Sequence, residues 1–256
     1  MQSPKEIGIV LSGGGVRGVA HVAILKVLEE NDLVPTQLAG SSSGAIVAAL
    51  YAAGYPPKEI FDFLKTHAKI FQWRRLNYQK PGVLDAESYA EIYDPWLVGK
   101  NFEDLHKTVY ICATDLLNAK FQFFSSGELI RPLLASAAVP GVFTPIEIGD
   151  TLYVDGGTMN NFPVEPLIGR CDLIIGSFIS PINVIKKEEV TNIAHLMGRA
   201  TALNFYASSL NKFHLCDFMF CPNQLSEYGI FDSDKMDELY EVCYEYAAEK
   251  VLELVK

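Results

Sequence analysis

Histidine and cysteine are scarce, five of each in 256 residues. Cys112, Cys171, Cys216, Cys221 and Cys243 are odd in number and form no CxxC pair. That excludes the usual zinc patterns and argues for reduced structural thiols rather than a disulfide framework, so neither a metal nor another cofactor is expected. Basic residues are also few: 21 Lys plus Arg face 31 Asp plus Glu, a net charge of -10. A general nucleic-acid binder needs a basic footprint, so that class is set aside. Long apolar runs are missing too. The apolar run Ile7–Leu11 is too short for a signal-peptide core and no cleavage pattern follows it, which points to a cytoplasmic protein. Residues 33–57 carry no charge, but they hold three prolines, three serines and three glycines. A membrane span needs about 20 mainly apolar residues, so turns around a buried helix fit better.

What is present is core material. Hydrophobic residues make up 49% of the chain and charged residues 20%, which supports a large packed core. The opening third alternates in period. Ile7–Leu11 is short, apolar and closed by glycines, as a buried strand is; residues 16–30 carry a helical apolar stripe. Leu38–Ala39 is a second strand, 40–44 a turn, and 45–53 a helix. That order predicts an α/β fold with parallel strands. Residues 57–105 are expected to be largely helical. Strands are expected at 108–113, 121–124, 151–154, 172–178 and 217–221, and helices at 129–138, 190–210 and 232–255, the last with Ser233 as its cap. No repeat or long linker divides the chain, so 1–256 is expected to be one domain, with 179–256 completing it.

Three segments carry chemistry. Gly40-Ser41-Ser42-Ser43-Gly44 lies between a strand and a helix, the setting of a nucleophile elbow. The sharp turn would expose the Ser42 hydroxyl over a helix N-terminus, while Gly40 and Gly44 relieve the clash of strand against helix. Gly-x-Ser-x-Gly alone recurs by chance, and a plain helix-capping loop is the alternative. Gly13-Gly14-Gly15-Val16-Arg17-Gly18 also joins strand to helix. Its backbone N–H groups can form a nest for a phosphate or an oxyanion. The Lys-Ser/Thr of a nucleotide-phosphate loop is missing; Val19-Ala20 stands there. A dinucleotide fingerprint matches at Gly13, Gly15 and Gly18, but its acid would be Asp32, in a loop rather than at a strand end. Close strand–helix packing would also explain the glycines. The third segment, Asp155-Gly156-Gly157, sets an acid at the end of a strand and turns the backbone away at once.

Together these segments resemble the patatin-like phospholipase family. The likeness continues through Ala113-Thr114-Asp115-Leu116, the run 136–143 and the run 155–164, in order, from about residue 7 to 178. The last third of the chain carries no matching motif. The resemblance implies a three-layer α/β/α sandwich with a mainly parallel central sheet. It implies lipid acyl hydrolysis by a Ser–Asp dyad, with Ser42 as nucleophile, Asp155 as its partner, and Gly13, Gly14 and Gly15 as oxyanion donors. Ser41 stands where the family often has Thr, Ser43 where it often has Ala, and Thr144 where it often has Pro. None of these touches the dyad, although Ser43 adds a second hydroxyl beside the nucleophile.

The supporting residues leave alternatives open. Arg17 either anchors the glycine loop or offers a charge to a substrate phosphate. Asn160 and Asn161 would hold the Asp155 loop, and Asp115 would accept structural hydrogen bonds. His21 would pack or bond to nearby backbone. A rival Ser–Asp–His triad would have to use His195 or His214, the two histidines after Asp155. The aromatic segment from Ile60 to Trp96, with Phe71, Trp73 and Leu76 beside Arg74 and Arg75, is ordinary core in one reading, and in the other walls an acyl slot or touches a lipid surface transiently. The partner expected is a lipid or lysolipid ester. An acyltransferase using the same Ser42 intermediate, or a non-catalytic lipid- or nucleotide-binding module, would share these motifs. Oligomeric state is not legible.

Overall fold

A computed structural model describes residues 6–68, 82, 84–97, 99–230 and 232–255. The strands are β1 Ile7–Leu11, β2 Gln37–Ser41, β3 Thr108–Asp115, β4 Lys120–Phe124, β5 Ile146–Ile148, β6 Thr151–Asp155, β7 Leu173–Ser177 and β8 Phe218–Phe220. The helices are α1 Val19–Glu30, α2 Ser43–Ala52, α3 Pro57–Ala68, α4 Asp94–Leu97, α5 Ile130–Ser136, α6 Ile193–Leu210 and α7 Met236–Lys250.

All eight strands join one sheet, in the order β5-β6-β3-β2-β1-β7-β8, with β4 also on β3. The pairs β1–β2, β2–β3, β1–β7 and β7–β8 are parallel, while β3–β4, β3–β6 and β5–β6 are antiparallel. The mainly parallel α/β sheet is as expected; the short strand β5 had no sequence signal. Its three residues alternate one buried position with a surface one, too little to show a period.

Strand alternation divides the core. Ile9, Leu11, Leu38, Val109, Ile111 and Ile175 face one way, into the larger cluster built with α1, α2 and α5. Val10, Ala39, Tyr110 and Ile174 face the other way, onto Phe162, Val164, Leu167 and Phe178. The second face has the thinner cover: an irregular segment around Phe162–Leu167, a turn at Phe213 and the inner side of α6 at Tyr206.

Register decides what meets what. β2 pairs β3 from Gln37↔Thr108 to Ser41↔Cys112. β6 pairs β3 only beyond that, from Ala113↔Asp155 to Asp115↔Tyr153. β4 spans Ile111 to Asp115 and so overlaps both pairings. A strand has two edges, so β2 and β6 must share the edge opposite β4. They run toward each other along it and end on adjacent residues of β3.

Several local expectations need correction. The helix after the elbow starts at Ser43, not Ala45, leaving Ser42 alone in the turn. Residues 15–18 form a 3-10 turn before α1. Among the described residues of the middle of the chain, α3 is followed not by further long helices but by a 3-10 helix at Ala86–Tyr93 and the short α4. Ser233 lies within a 3-10 turn and α7 begins at Met236, so Ser233 is not its cap. Phe71, Trp73, Arg74, Arg75 and Leu76 lie outside the described residues.

A Cβ on Gly44 would fall onto the main chain of Leu11 and Ser12, whereas one on Gly198, inside α6, would meet nothing. Gly44→Ala should therefore cost about 3 kcal/mol or more, since rigid backbone must move. Gly198→Ala should stabilise by about 0.5–1 kcal/mol through helix propensity. Urea unfolding of both variants checks the pair.

Candidate active site

The elbow is built by strain and two braces. Ser42 has φ 53° and ψ -126°, a region that costs a non-glycine residue about 1–3 kcal/mol. Its N–H donates to Ser136 Oγ at 2.9 Å, and that hydroxyl donates to Cys112 O at 2.6 Å. Ser136, on α5, thus ties the elbow turn to β3. Gly40 is required because a Cβ there would stand 2.6 Å from Ala45 N. Ser42 is half-buried and faces a cleft, whereas Ser43 is buried with no partner for its hydroxyl and packs against Gly18. The two adjacent serines are thereby distinguished.

Asp155 comes to the elbow along β6. Its main chain is held by Ala138 O and by the Thr114 hydroxyl at 3.0 Å. Gly156 lets the chain turn where a Cβ would meet Cys112 O and the Ser41 hydroxyl. Oδ1 accepts the Gly157 N–H at 2.8 Å, while Oδ2 is buried without a partner of full hydrogen-bond geometry. The Ser42 hydroxyl lies close enough to pull the carboxyl's pKa down, so the two side chains are neighbours whose hydrogen bond is not drawn tight. Burial prevails over that pull and the Gly157 bond, and pushes the pKa up to about 6.

The glycine loop is less free than the sequence suggests. The Gly13 N–H donates to Asn161 O at 3.3 Å, which narrows the three expected oxyanion donors. Gly14 and Gly15 N–H donate no hydrogen bond among the described residues, and Gly15 lines the cleft with Ser42. Gly15 has φ 61°, left-handed backbone that favours glycine. Arg17 donates through Nε to Tyr228 O at 2.8 Å, again to the same oxygen through Nη2, and to Ile179 O at 3.5 Å. Burial brings its pKa down to about 10, still fully charged at neutral pH. Nε, Nη1 and Nη2 each donate to main chain, the arrangement of a loop anchor.

The histidines separate cleanly. His21 is fully buried; its Nε2 bonds Ser12 O and its Nδ1 bonds Ser177 Oγ, each at 2.7 Å. A carbonyl only accepts, so Nε2 carries the proton and Nδ1 accepts from Ser177. Burial holds the pKa down, to about 4, and the ring neutral. It braces the base of the glycine loop. His195 is exposed and bonds Thr191 and Glu189 O; His214 is exposed as well. Neither is among the partners of Asp155, so the triad's geometry is not assembled.

Asn160 bonds Glu165 and Lys212, and so pins the Asp155 loop. Asn161 is buried with neither amide atom partnered among the described residues, its Oδ1 beside Gly13 and Gly157. Asp115 caps the following turn through Leu117 N–H and Asn118 N–H, each at 3.0 Å. Asp32 is exposed in the turn before β2, away from any strand's C-terminal end, which removes the dinucleotide fingerprint. Ser136 and Ser177 have roles the sequence did not reveal. The available signal was a single hydroxyl inside each otherwise apolar run.

The cleft beside Ser42 has a volume of about 240 Å³ and an apolar lining that includes Ile46, Leu64, Ala68, Phe143 and Met236. A smaller apolar cavity with Tyr89 and Tyr93 adjoins it across Ile46, Leu64 and Phe143. The wall expected from Ile60 to Trp96 is therefore met at Leu64 and Ala68, on α3. Among the described residues no helix is long and apolar enough to cross a membrane, and no cluster of metal-ligating side chains occurs.

A family model for patatin-like phospholipase matches residues 9–168. An uncharacterized NTE family protein of Mycobacterium tuberculosis is 30% identical over 218 residues, 81% of this chain and 59% of that protein. Lysophospholipase NTE1 of Meyerozyma guilliermondii is 26% identical over 291 residues, 96% of this chain but 19% of its own length. The chain thus spans under two thirds of these relatives. In fold it is similar to VipD from Legionella pneumophila, with TM-score 0.57 at 13% identity over 98% of this chain and 67% of that one. It is also similar to human GIVD cytosolic phospholipase A2, with TM-score 0.53 at 9% identity over 98% and 59%.

The raised pKa of Asp155 carries a stability cost with a definite sign. Between the unfolded value near 3.8 and the folded value of about 6, the folded protein keeps a proton that the unfolded chain has lost. Stability therefore falls as pH rises through that window, by about 3 kcal/mol in all. Asp155→Asn should raise stability at pH 8 by a comparable amount, with the gain fading to nothing by pH 4. Thermal melts across that pH range test it.

Proposed function

This chain belongs to the patatin-like phospholipase family, and on that premise we propose that it is a serine lipid acyl hydrolase working through a Ser42–Asp155 dyad, with residues 1–256 acting as one catalytic unit. The observation that carries the proposal is the buried, half-satisfied Asp155 carboxylate set against the hydroxyl of a strained elbow serine at an apolar cleft.

Ser Oγ needs a base, and an ordinary Asp is a weak one. Raised to about 6, Asp155 is still ionised at neutral pH yet closer in proton affinity to what general-base catalysis requires. Ser42 Oγ attacks the ester carbonyl carbon and its proton passes to Asp155. The oxyanion is met by the N–H groups of Gly14 and Gly15, each such donor contributing about 3–4 kcal/mol to the transition state. Collapse expels the alcohol, which takes the proton back from Asp155, and leaves an acyl group on Ser42. Water then gives a proton to Asp155 and attacks the acyl-enzyme. The fatty acid leaves as Oγ recovers that proton. The apolar cleft suits the acyl chain. Lysophospholipids and phospholipids are the proposed substrates, in keeping with the name of the Meyerozyma relative.

A fluorophosphonate probe should label Ser42. Ser42→Ala should lose the label and at least about 10³-fold in ester turnover. His195→Ala and His214→Ala should retain activity, and their inactivation would revive the triad. Label without turnover would move the assignment to acyl transfer, and no label on folded protein would refute the serine-hydrolase proposal.

The pH profile follows from the same carboxyl. Log kcat/KM on a neutral, soluble monoester should rise with unit slope and level off above an apparent pKa of about 6. Initial rates from pH 4.5 to 8.5 measure it.

A further inference from the structure

Helix α6 wears its apolar stripe outward. Ile193 is 78% exposed, Leu196 55%, Met197 60% and Leu203 43%. Their spacing of i, i+3, i+4 and i+10 puts them on one face of the helix. The opposite face does the packing. Ala202, Phe205 and Tyr206 are half-buried, Ser209 is fully buried, and Tyr206 reaches Phe178 in the core. Arg199 holds Asn183 O at 2.6 Å, which brings the 98% exposed Val184 to the same helix.

Two further observations identify what the stripe meets. The first is charge. Residues 190–216 contain no Asp or Glu, the longest such run in a chain of net charge -10; of their two cations, Lys212 is paired with Glu165 and Arg199 is left on the helix. A surface that repelled phosphate headgroups elsewhere would not do so here. The second is position. α6 packs on the turn after Asp155; a Cβ on Gly157 would stand 3.0 Å from Phe205 Cε2. The outward stripe therefore belongs to the helix that adjoins the dyad.

We propose that the outer face of α6 is the docking surface for a phospholipid bilayer, inserting Ile193, Leu196 and Met197 among the acyl chains. The lipid partner rests on the lipid-hydrolase proposal, but docking is measured apart from turnover. The other candidate for lipid contact, the Ile60–Trp96 segment, is largely core in its described residues: Ile60 and Phe63 of α3 and Ala86, Tyr89, Ile92 and Tyr93 of the 3-10 helix are buried.

Sedimentation with phosphatidylcholine vesicles, using full chains that carry Ser42→Ala so that the vesicles stay intact, reads the docking directly. Replacing Ile193, Leu196 and Met197 together by Ser should weaken binding at least about tenfold. The same triple change in the active chain should leave hydrolysis of a soluble short-chain p-nitrophenyl ester unaltered, which also shows that it folds. A single Met197→Trp chain should gain a blue-shifted fluorescence on adding vesicles. Vesicle binding that survives the triple change, or no binding by the Ser42→Ala chain, overturns the proposal. So does a wild-type dimer that the triple change converts to monomer, because the face would then belong to a second copy. Docking without any ester turnover would instead refute the hydrolase proposal and leave the surface standing.

Discussion

The site depends on β3 being longer than β2. Because β3 continues past Cys112, its edge has room for a second strand beyond Ser41, and β6 occupies it from the opposite direction. Two chain ends far apart in sequence are brought onto adjacent backbone positions by ladder hydrogen bonds. Those bonds are short, directional and shared with the whole sheet, so the relative placement of Ser42 and Asp155 inherits the rigidity of the core. Gly156 and Ser136 complete the junction from two sides, and both meet the same atom, Cys112 O. A loop-borne acid would have required its own ordering; a strand-borne acid shares the order of the sheet.

The free energy stored at the site comes from three sources. Ser42 holds a disfavoured φ, Asp155 holds a buried carboxyl with one oxygen short of a full hydrogen bond, and Asn161 holds an amide with neither atom bonded among the described residues. Groups left short of partners in a packed region are stable only where their surroundings fix them. Here the fixation is visible in His21, whose two ring nitrogens lock Ser12 to Ser177, and in Arg17, which ties the glycine loop to Tyr228 and Ile179. Among the chain's few histidines, His21 at the site thus serves as a neutral strut.

The local parts of this site were legible in the sequence because each is coded within a few residues. An elbow needs small residues on both sides of a serine, and a strand-end acid that must turn at once needs glycine. Fold class followed from apolar period for the same reason. What was not legible was every feature set by register. No local signal says that β3 outruns β2, that the Gly13 N–H is taken by Asn161, or that Ser136 supports Ser42 across 94 positions. The middle of the chain was misjudged because aromatic residues suit helices and irregular packed turns equally well; Tyr89 and Tyr93 bury their rings from a 3-10 segment.

α6 shows a third kind of limit. Its stripe has the ordinary spacing of a buried helix face, and such a face ordinarily points to the core. The inner side of this helix instead meets a part of the sheet already filled by Phe162, Phe178 and Phe213, so Tyr206 and the small residues Ala202 and Ser209 suffice there. With the core supplied from β7 and the Phe162–Leu167 segment, the larger residues of α6 have no interior left to occupy. Their exposure is thus a consequence of the thin second layer of the sheet. The cleft beside Ser42 is built from the other, thicker layer, at Ile46, Leu64 and Met236, so the acyl slot and the outward apolar helix arise from different layers of the architecture.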